Sequence, residues 1–394
     1  MKDLEKQLAI VNSECVSIRG FVMHANNLVT WLFGLFVASC ALSPCRAGEG
    51  ETPLEPTWKV VSSVTEVEQC DIGVLALTCL NSKKPLLEAV SKRANLEYLD
   101  VSDDLSDEDC GYIAPLKNLK YLDLSHCKVS ASGLKKIQTC KSLVVLIMAQ
   151  CSLVDEDVAA VVGIEGLQEL SFHGCKQLTD SGIRKCSGLL KLGKLGLGQT
   201  EITGTAFDNA DAWLCLRSLS ILKCRSVSDE GASCIGKLVK LTSVIASACD
   251  KLTHVGIRAI CTLPQLQSLE LVGLDLPPGL LSFFDGGSLT NLDLAGTTGL
   301  TADSFKTIGV LRNLKKLRLD GCEWVSDQVI EQLCTSKSLS DVGFRWNTSI
   351  SDLGLKQLVA TGQFSRIIID GCSGITKATI AALREANPKL EILD

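Results

Sequence analysis

Aromatic residues are scarce in this 394-residue chain, at 5% against 46% hydrophobic residues overall. Its core is therefore aliphatic, and thin layers of Leu, Ile, Val and Cys suit a repeated architecture better than one large globular core at this length. Runs of positive charge are missing: no stretch of five or six Lys and Arg occurs, and the formal net charge is -6. The electrostatic footprint of a nucleic-acid binder is thereby absent, and the mild acidity reads as solubility. There is no C-x-x-C pair, and the four histidines, His24, His126, His173 and His254, do not cluster. Nor does the chain contain G-x-S-x-G, a P-loop, H-E-x-x-H or a dinucleotide fingerprint. The expectation is a protein that is not an enzyme and needs no cofactor and no metal.

What the chain does contain is a repeat. "LKYLDLSHC" begins at Leu119, "LVVLIMAQC" at Leu143, "LQELSFHGC" at Leu167, "LRSLSILKC" at Leu216, "LTSVIASAC" at Leu241, "LKKLRLDGC" at Leu314 and "FSRIIIDGC" at Phe364. Weaker copies begin at Ile72, Leu96, Leu192, Leu266, Leu289, Leu339 and Leu390, and from Leu96 onward the starts differ by 23 to 26 residues. That spacing lies within the leucine-rich-repeat period of roughly 20–29 residues. The alternating x-L-x-L-x segment predicts a short strand with Leu on one face. Successive strands then lie side by side in a parallel sheet, because one coil alone cannot bury its leucines.

The second half of each unit predicts a helix. "LTDSGIRKC" follows at Leu178, "VSDEGASCI" at Val227, "VSDQVIEQL" at Val325 and "ISDLGLKQL" at Ile350. Thr179, Ser228, Ser326 and Ser351 stand where an N-cap belongs, and the acidic residue after each suits the first turn of a helix dipole. The unit at Leu266 departs from this with Pro277 and Pro278, which predicts a local irregularity at the helix start.

Seven cysteines (Cys127, Cys151, Cys175, Cys224, Cys249, Cys322 and Cys372) fill the ninth position of the repeat; Asn347, Thr200 and Thr297 replace them in other coils. This position turns inward just past the strand, where a small side chain fits and its polar atom reaches neighbouring backbone. In-register parallel neighbours sit about one strand spacing apart, whereas disulfides prefer Cβ atoms about 3.8 Å apart. Buried thiols are expected, with a disulfide network as the alternative. Cys110, Cys140, Cys186, Cys234, Cys261 and Cys334 fall in the helical halves as small hydrophobes. Asn347 also heads an N-T-S acceptor, but an inward position argues against glycosylation. His126 and His173 recur on one face two coils apart and read as surface residues.

These units resemble the cysteine-containing class of leucine-rich repeats familiar from F-box substrate receptors, whose unit reads C-x-x-L-T-D-x-G-L; here "CKQLTDSGI" starts at Cys175 and "CRSVSDEGA" at Cys224. The resemblance covers residues 72 to 394. It implies an α/β fold: a right-handed leucine-rich-repeat solenoid, or horseshoe, with a parallel sheet on the concave face and short helices on the convex face. It also implies protein binding on that concave face. Related repeats serve regulators of adenylate cyclase. No F-box-like module precedes the repeats, which weakens a ubiquitin-ligase role.

Residues 1–47 form an N-terminal leader. Within it, residues 28–42, "LVTWLFGLFVASCAL", are uncharged and too short for a spanning helix of about 20 residues. They read as the core of a signal peptide, cut near Ala47; Translation could begin at Met1 or Met23. "VASC" alternatively resembles a lipoprotein box, with lipid on Cys40, and a buried or interfacial helix is the further reading. Sixteen cysteines from Cys70 onward sit uneasily with an oxidising exterior. Residues 48–71 read as linker and N-terminal cap, with 72–394 as the solenoid of about fourteen units. At the other end, "LEIL" closes the chain in a strand pattern with no polar capping unit after it.

Positions three, five and seven of each unit face the concavity. Two docking regions are expected there: Tyr98, Asp100, Tyr121 and Asp123 in early coils, and Lys316, Arg318, Asp320, Arg345, Arg366 with Trp346 in late ones. Tyr, Trp and Arg are the residues enriched at binding hot spots. The function expected is a non-catalytic protein-binding scaffold, secreted or at the cell envelope, touching membrane only through its leader or a lipid. The alternatives are a cytoplasmic substrate receptor or adaptor of a ubiquitin ligase, or a regulator of an enzyme such as adenylate cyclase. No nucleic acid is expected as a partner.

Overall fold

A computed structural model describes residues 58–394 apart from 72, 80–82, 102–104 and 285–286. The leader, Cys40 and residues 48–57 of the expected linker and cap lie outside the described residues. The chain divides into two compact units; the first runs to Glu201 and includes Ala212–Cys215, and the second comprises Ile202–Asp211 and Leu216–Asp394.

In the first unit the strands are β1 (Trp58–Val61), β2 (Ala76–Cys79), β3 (Tyr98–Asp100), β4 (Tyr121–Asp123), β5 (Val145–Ile147), β6 (Glu169–Ser171) and β7 (Lys194–Gly196). Each pairs in parallel with the next. Between them lie α1 (Val64–Gln69), α2 (Lys84–Ser91), α3 (Cys110–Ile113), α4 (Ala131–Ile137), α5 (Val158–Val162) and α6 (Asp180–Lys185). The second unit holds β8 (Ser218–Ser220), β9 (Ser243–Ile245), β10 (Ser268–Glu270), β11 (Asn291–Asp293), β12 (Lys316–Arg318), β13 (Asp341–Gly343), β14 (Arg366–Ile368) and β15 (Glu391–Leu393), again parallel in sequence order. Its helices are α7 (Asp229–Ile235), α8 (His254–Cys261), α9 (Asp327–Leu333), α10 (Asp352–Ala360) and α11 (Lys377–Ala386). Where the helical signal is weak the coil makes only a 3-10 turn: Thr205–Phe207, Ala302–Phe305 and, just after Pro277 and Pro278, Leu280–Phe283. This is the α/β solenoid of stacked coils that the period predicts.

Register is set by the leucine frame, because a slip of one residue would turn every core side chain to the other face. Leu99, Leu122, Leu146 and Leu317, all at position four, are fully buried between sheet and helices. Two frames need correction. Ala76 pairs with Tyr98, so the second coil's first position is Val74 rather than Ile72. Arg366 pairs with Glu391, so the last coil starts at Lys389 rather than Leu390, and Ile392 turns inward. In addition, Trp58–Asp71, expected as a cap, itself supplies β1 and α1, so the coil pattern begins before residue 72.

The ladder position behaves as its chemistry requires. Sγ of Cys151, Cys175, Cys249, Cys322 and Cys372 donates to a backbone carbonyl of the preceding coil, at 2.9 to 3.2 Å. Asn347 does the same work with two bonds, accepting from Cys322 N and donating to Leu319 O, each 2.8 Å. The residue just before the ladder position takes positive φ: His126, Gln150, Gln199, Lys223, Ala248 and Trp346, and glycine in the coils of Gly174, Gly273, Gly296, Gly321 and Gly371. Glycine recurs there because the left-handed region is costly for L side chains.

The acidic residues after the N-caps do more than face a helix dipole. Asp229 accepts from Thr253 N at 2.9 Å, Thr253 Oγ1 at 2.5 Å and Gly256 N at 3.0 Å, all in the next coil. Asp107 likewise holds Ser130 and Gly133, Asp155 holds Thr179, Asp327 holds Ser351 and Asp352 holds Thr376. Each carboxylate thus caps the helix of the following coil, and the glycine of T-D-x-G makes room for it. A Cβ on Gly133 would lie 2.5 Å from Asp107 Oδ1, and Gly182, Gly256 and Gly354 stand in the same way over Asp155, Asp229 and Asp327. Burial opposes the charge on Asp107 and Asp229, but these donors outweigh it and hold both carboxyls below the ordinary range.

Candidate binding face

The face of each sheet turned away from the helices, here the open face, carries positions three, five and seven. In the first unit it is largely apolar. Tyr121, Val145, Ile147 and Ala149 form a hydrophobic cluster separate from the leucine core, with Tyr98 packed against it. The Trp58 ring meets Tyr98 edge-on at 6.2 Å and Tyr121 at 5.7 Å, and Tyr98 lies 6.3 Å from Tyr121. Aromatic pairs favour this tilted, edge-on geometry because of their ring quadrupoles. Trp58 and Val60, at the start of the face, are 36% and 56% exposed. Of the residues expected here, Tyr98 and Asp100 are half-buried, while Tyr121 and Asp123 are buried. Asp123 Oδ1 accepts from Ser125 N at 2.8 Å and from Ser125 Oγ at 2.5 Å, which fixes its direction. Burial first, then the charges of Asp123, Asp100 and Glu169, push the Tyr121 phenol above its ordinary range. Farther along, Lys194 Nζ sits 2.9 Å from Glu169. His173, expected on the surface, is buried at position seven.

The late coils of the second unit are built differently. Arg318 grips Asp341 through two nitrogens at 2.7 and 3.1 Å. Asp320 accepts from Arg345 N at 2.8 Å and lies 3.4 Å from Arg345 Nη1. Arg345 also lies 4.0 Å from Asp370, and Arg366 3.2 Å from Glu391. The expected arginine patch is therefore a ladder of ion pairs between successive coils. Lys316 is exposed. Trp346 takes φ 58° and lays its ring over Gly371, where a Cβ would come within 2.6 Å of Cδ1. Midway along the unit, Glu270 pairs in register with Asp293. Burial, then the Asp293 charge, push the Glu270 carboxyl up to about 7.

The structure brings Tyr98 and Tyr121 together at Trp58 and pairs Arg318 with Asp341, neither of which the repeat frame singled out. Trp58 lies in a segment with no leucine signature. Asp341 was visible as an acidic residue one period after Lys316 and Arg318, a signal of cross-coil pairing.

Among the described residues no group of three His, Cys, Asp or Glu is placed to hold a metal ion, and no helix is long and apolar enough to cross a membrane. The buried thiols are poor nucleophiles: burial pushes Cys79, Cys110 and Cys175 up to about 12 and Cys322 and Cys372 up to about 11.

A leucine-rich-repeat family model matches residues 116–137. Among solved structures, a chain of the yeast Rad7–Elc1 complex is similar at 18% identity and TM-score 0.55, covering 78% of this chain and 86% of that one. An internalin of Listeria monocytogenes is similar at 16% identity and TM-score 0.47, covering 78% and 82%. A leucine-rich-repeat protein of Leptospira interrogans is similar at 17% identity and TM-score 0.42, covering 85% and 99%.

Proposed function

We propose that this leucine-rich-repeat chain is a non-catalytic protein-binding scaffold that engages its partner on the open face of its sheets. The observation that carries the reading is the second apolar cluster, Tyr121, Val145, Ile147 and Ala149 with Tyr98, lying outside the leucine core. A sheet face with no partner is ordinarily polar, and next to this cluster Trp58, whose ring meets Tyr98 and Tyr121, and Val60 on the same strand leave apolar surface exposed, as interaction sites do. We assign the protein to the cell envelope or exterior on the strength of the apolar segment at residues 28–42.

A second reading is a cytoplasmic substrate receptor or adaptor of a ubiquitin ligase, or a regulator of an enzyme such as adenylate cyclase. Its support is the stock of buried thiols, which suits a reducing compartment, and the likeness of the repeats to F-box receptors. Sequencing the mature N-terminus separates the compartments: a start near Gly48 supports export, and an intact leader supports the second reading.

Binding itself is tested with photo-crosslinking residues in the full chain, at Val60 and Asn291 on the open face and at Ser233 and Lys356 on exposed helix positions. Adducts with one defined partner from the open-face sites alone support the reading. Adducts from the helix positions alone overturn it.

A further inference from the structure

Burial along the open face of the first unit does not follow from its strands alone. Val60, at the start of the face, is 56% exposed, whereas Tyr121, Val145, Ile147 and Ala149, on the β4 and β5 coils, are 5 to 7% exposed. Glu169, Ser171 and His173 on the β6 coil are buried as well. Strand neighbours are not the reason. Ile245 stands at the position of β9 that Ile147 holds on β5, and each strand is paired on both sides. Yet Ile245 is only half-buried, as are Ser243, Ser268 and Asn291 on the same face of the second unit. The helices lie on the other side of the sheet, so the face over β4 to β6 calls for a further cover.

That cover must be apolar where it meets Tyr121, Val145 and Ile147, and long enough to cross several strands. Of the residues outside the described ones, 72, 80–82, 102–104 and 285–286 are too few. Residues 1–57 lead into the fold at Trp58, the first residue of this same face. Within them, residues 28–42 carry no charge and bring Trp31, Phe33 and Phe36 in a chain otherwise poor in aromatics. Residues 43–57, fifteen in number, join that run to Trp58. Such a tether reaches up to about 50 Å, against about 24 Å for the strand spacings from β1 to β6. A segment held on that scale acts at an effective concentration of roughly millimolar order, so modest affinity suffices. We propose that residues 28–42 dock in cis on the face over β4 to β6, with their apolar side chains against Tyr121, Val145 and Ile147. They thereby occupy the site that the scaffold reading gives to the partner. The inference rests on that reading for its consequence: cutting the leader near Ala47 opens the face, and until then Trp58 and Val60 are the margin left for a partner.

The test uses the full chain, produced without export so that the leader stays attached, with a diazirine-bearing aliphatic residue at Ile147 or, as control, at Ile245. Irradiation followed by tandem mass spectrometry should find a link from the Ile147 site to a peptide containing residues 28–42, and none from the Ile245 site. In a mixture of nitrogen-15-labelled and unlabelled chains, each link should join peptides of one label. Mixed-label links would make a second copy the cover and overturn the proposal, as would the absence of any link from Ile147 to residues 28–42. The chain's three tyrosines give a second readout. With Leu32→Asp and Phe36→Asp in the full chain, and circular dichroism unchanged, tetranitromethane should nitrate Tyr121 at least fivefold faster, while Tyr112 on α3 keeps its rate. An unchanged Tyr121 rate overturns the proposal. Partner adducts at Val60 without the link from Ile147 would also overturn it, and leave the scaffold reading standing. The link together with partner adducts at helix positions alone would uphold the docking and remove the scaffold reading.

Discussion

Removing one carboxylate from the capping ladder gives a sharp test of how the coils are held together. Asp229→Ala deletes the acceptor for Thr253 N, Thr253 Oγ1 and Gly256 N at the start of α8. Losing an N-cap costs about 0.5–2 kcal/mol. Two considerations narrow this. The site is part-exposed, so water replaces some of what is lost, and Thr253 Oγ1 still accepts from Val255 N at 3.2 Å. A local cost of about 1–1.5 kcal/mol follows, or roughly tenfold in an opening equilibrium. Because solenoid stability is distributed over neighbouring coils, the effect belongs to the local equilibrium rather than to one global transition. Amide hydrogen exchange is the suitable assay: Gly256 and the first turn of α8 should exchange about tenfold faster, with β12 amides unchanged. The sign with pH is fixed. The Asp229 carboxyl is held below its ordinary value, so its contribution is complete above the unfolded carboxylate range and is lost as pH falls through the folded value. The gap between wild type and variant should therefore close in acid. Gly256→Ala supplies the cross-check. Beside Asp229 the new methyl meets the carboxylate and destabilises. In the Asp229→Ala background that clash is gone, and the better helix propensity of Ala, about 1 kcal/mol, offsets the remaining tight contacts with Leu252 and Ala232. The double-mutant cycle must be non-additive. Unchanged exchange at Gly256, or two additive effects, would refute the cross-coil cap.

Other positions give independent checks. Asn347→Ala should destabilise by about 2–4 kcal/mol in chemical denaturation, because Cys322 N and Leu319 O lose their partner inside the protein; a loss under 1 kcal/mol would mean that the ladder bonds matter little. Arg345→Ala, which removes the guanidinium from the buried Asp320 carboxylate but keeps the backbone N–H bond to it, should cost about 2 kcal/mol, and Asp320→Asn in the same chain should recover part of it. Iodoacetamide should modify Cys215, exposed, and then Cys334, half-buried, well before Cys151, Cys175 and Cys249; mass spectrometry of the native protein finding those ladder thiols modified first would contradict their burial.

The fold was legible because one frame is repeated many times. Leucines at positions one, four and six can be buried only by a coil above and a coil below, so period and periodicity together leave little choice of architecture. Errors gathered at the ends, where the frame is weakest. At Ile72 and Leu390 an aliphatic residue lies one or two places from the true first position, and Trp58–Val61 has no leucine at all. The capping aspartates were read as local features because each sits beside its own N-cap. Their partners lie 23 or 24 residues on, and only stacking reveals them. Strand alternation placed Arg345 and Asp320 on one face without showing that they neutralise each other.

That pairing changes what the open face can mean. Arginine is a common hot-spot residue when its guanidinium is available to a partner, yet Arg318 already binds Asp341 by two nitrogens and Arg345 is buried against Asp320. A partner docking over these groups would have to leave them paired, gaining little, or break them and replace both charges. The late coils are thus better suited to holding neighbouring coils in register than to recruiting an acidic ligand. The early coils satisfy the opposite condition. Their rings pack on one another, and Trp58 and Val60 keep apolar surface in contact with water. Apolar area left exposed at Trp58 and Val60 costs stability in isolation, and a partner covering it would recover that cost.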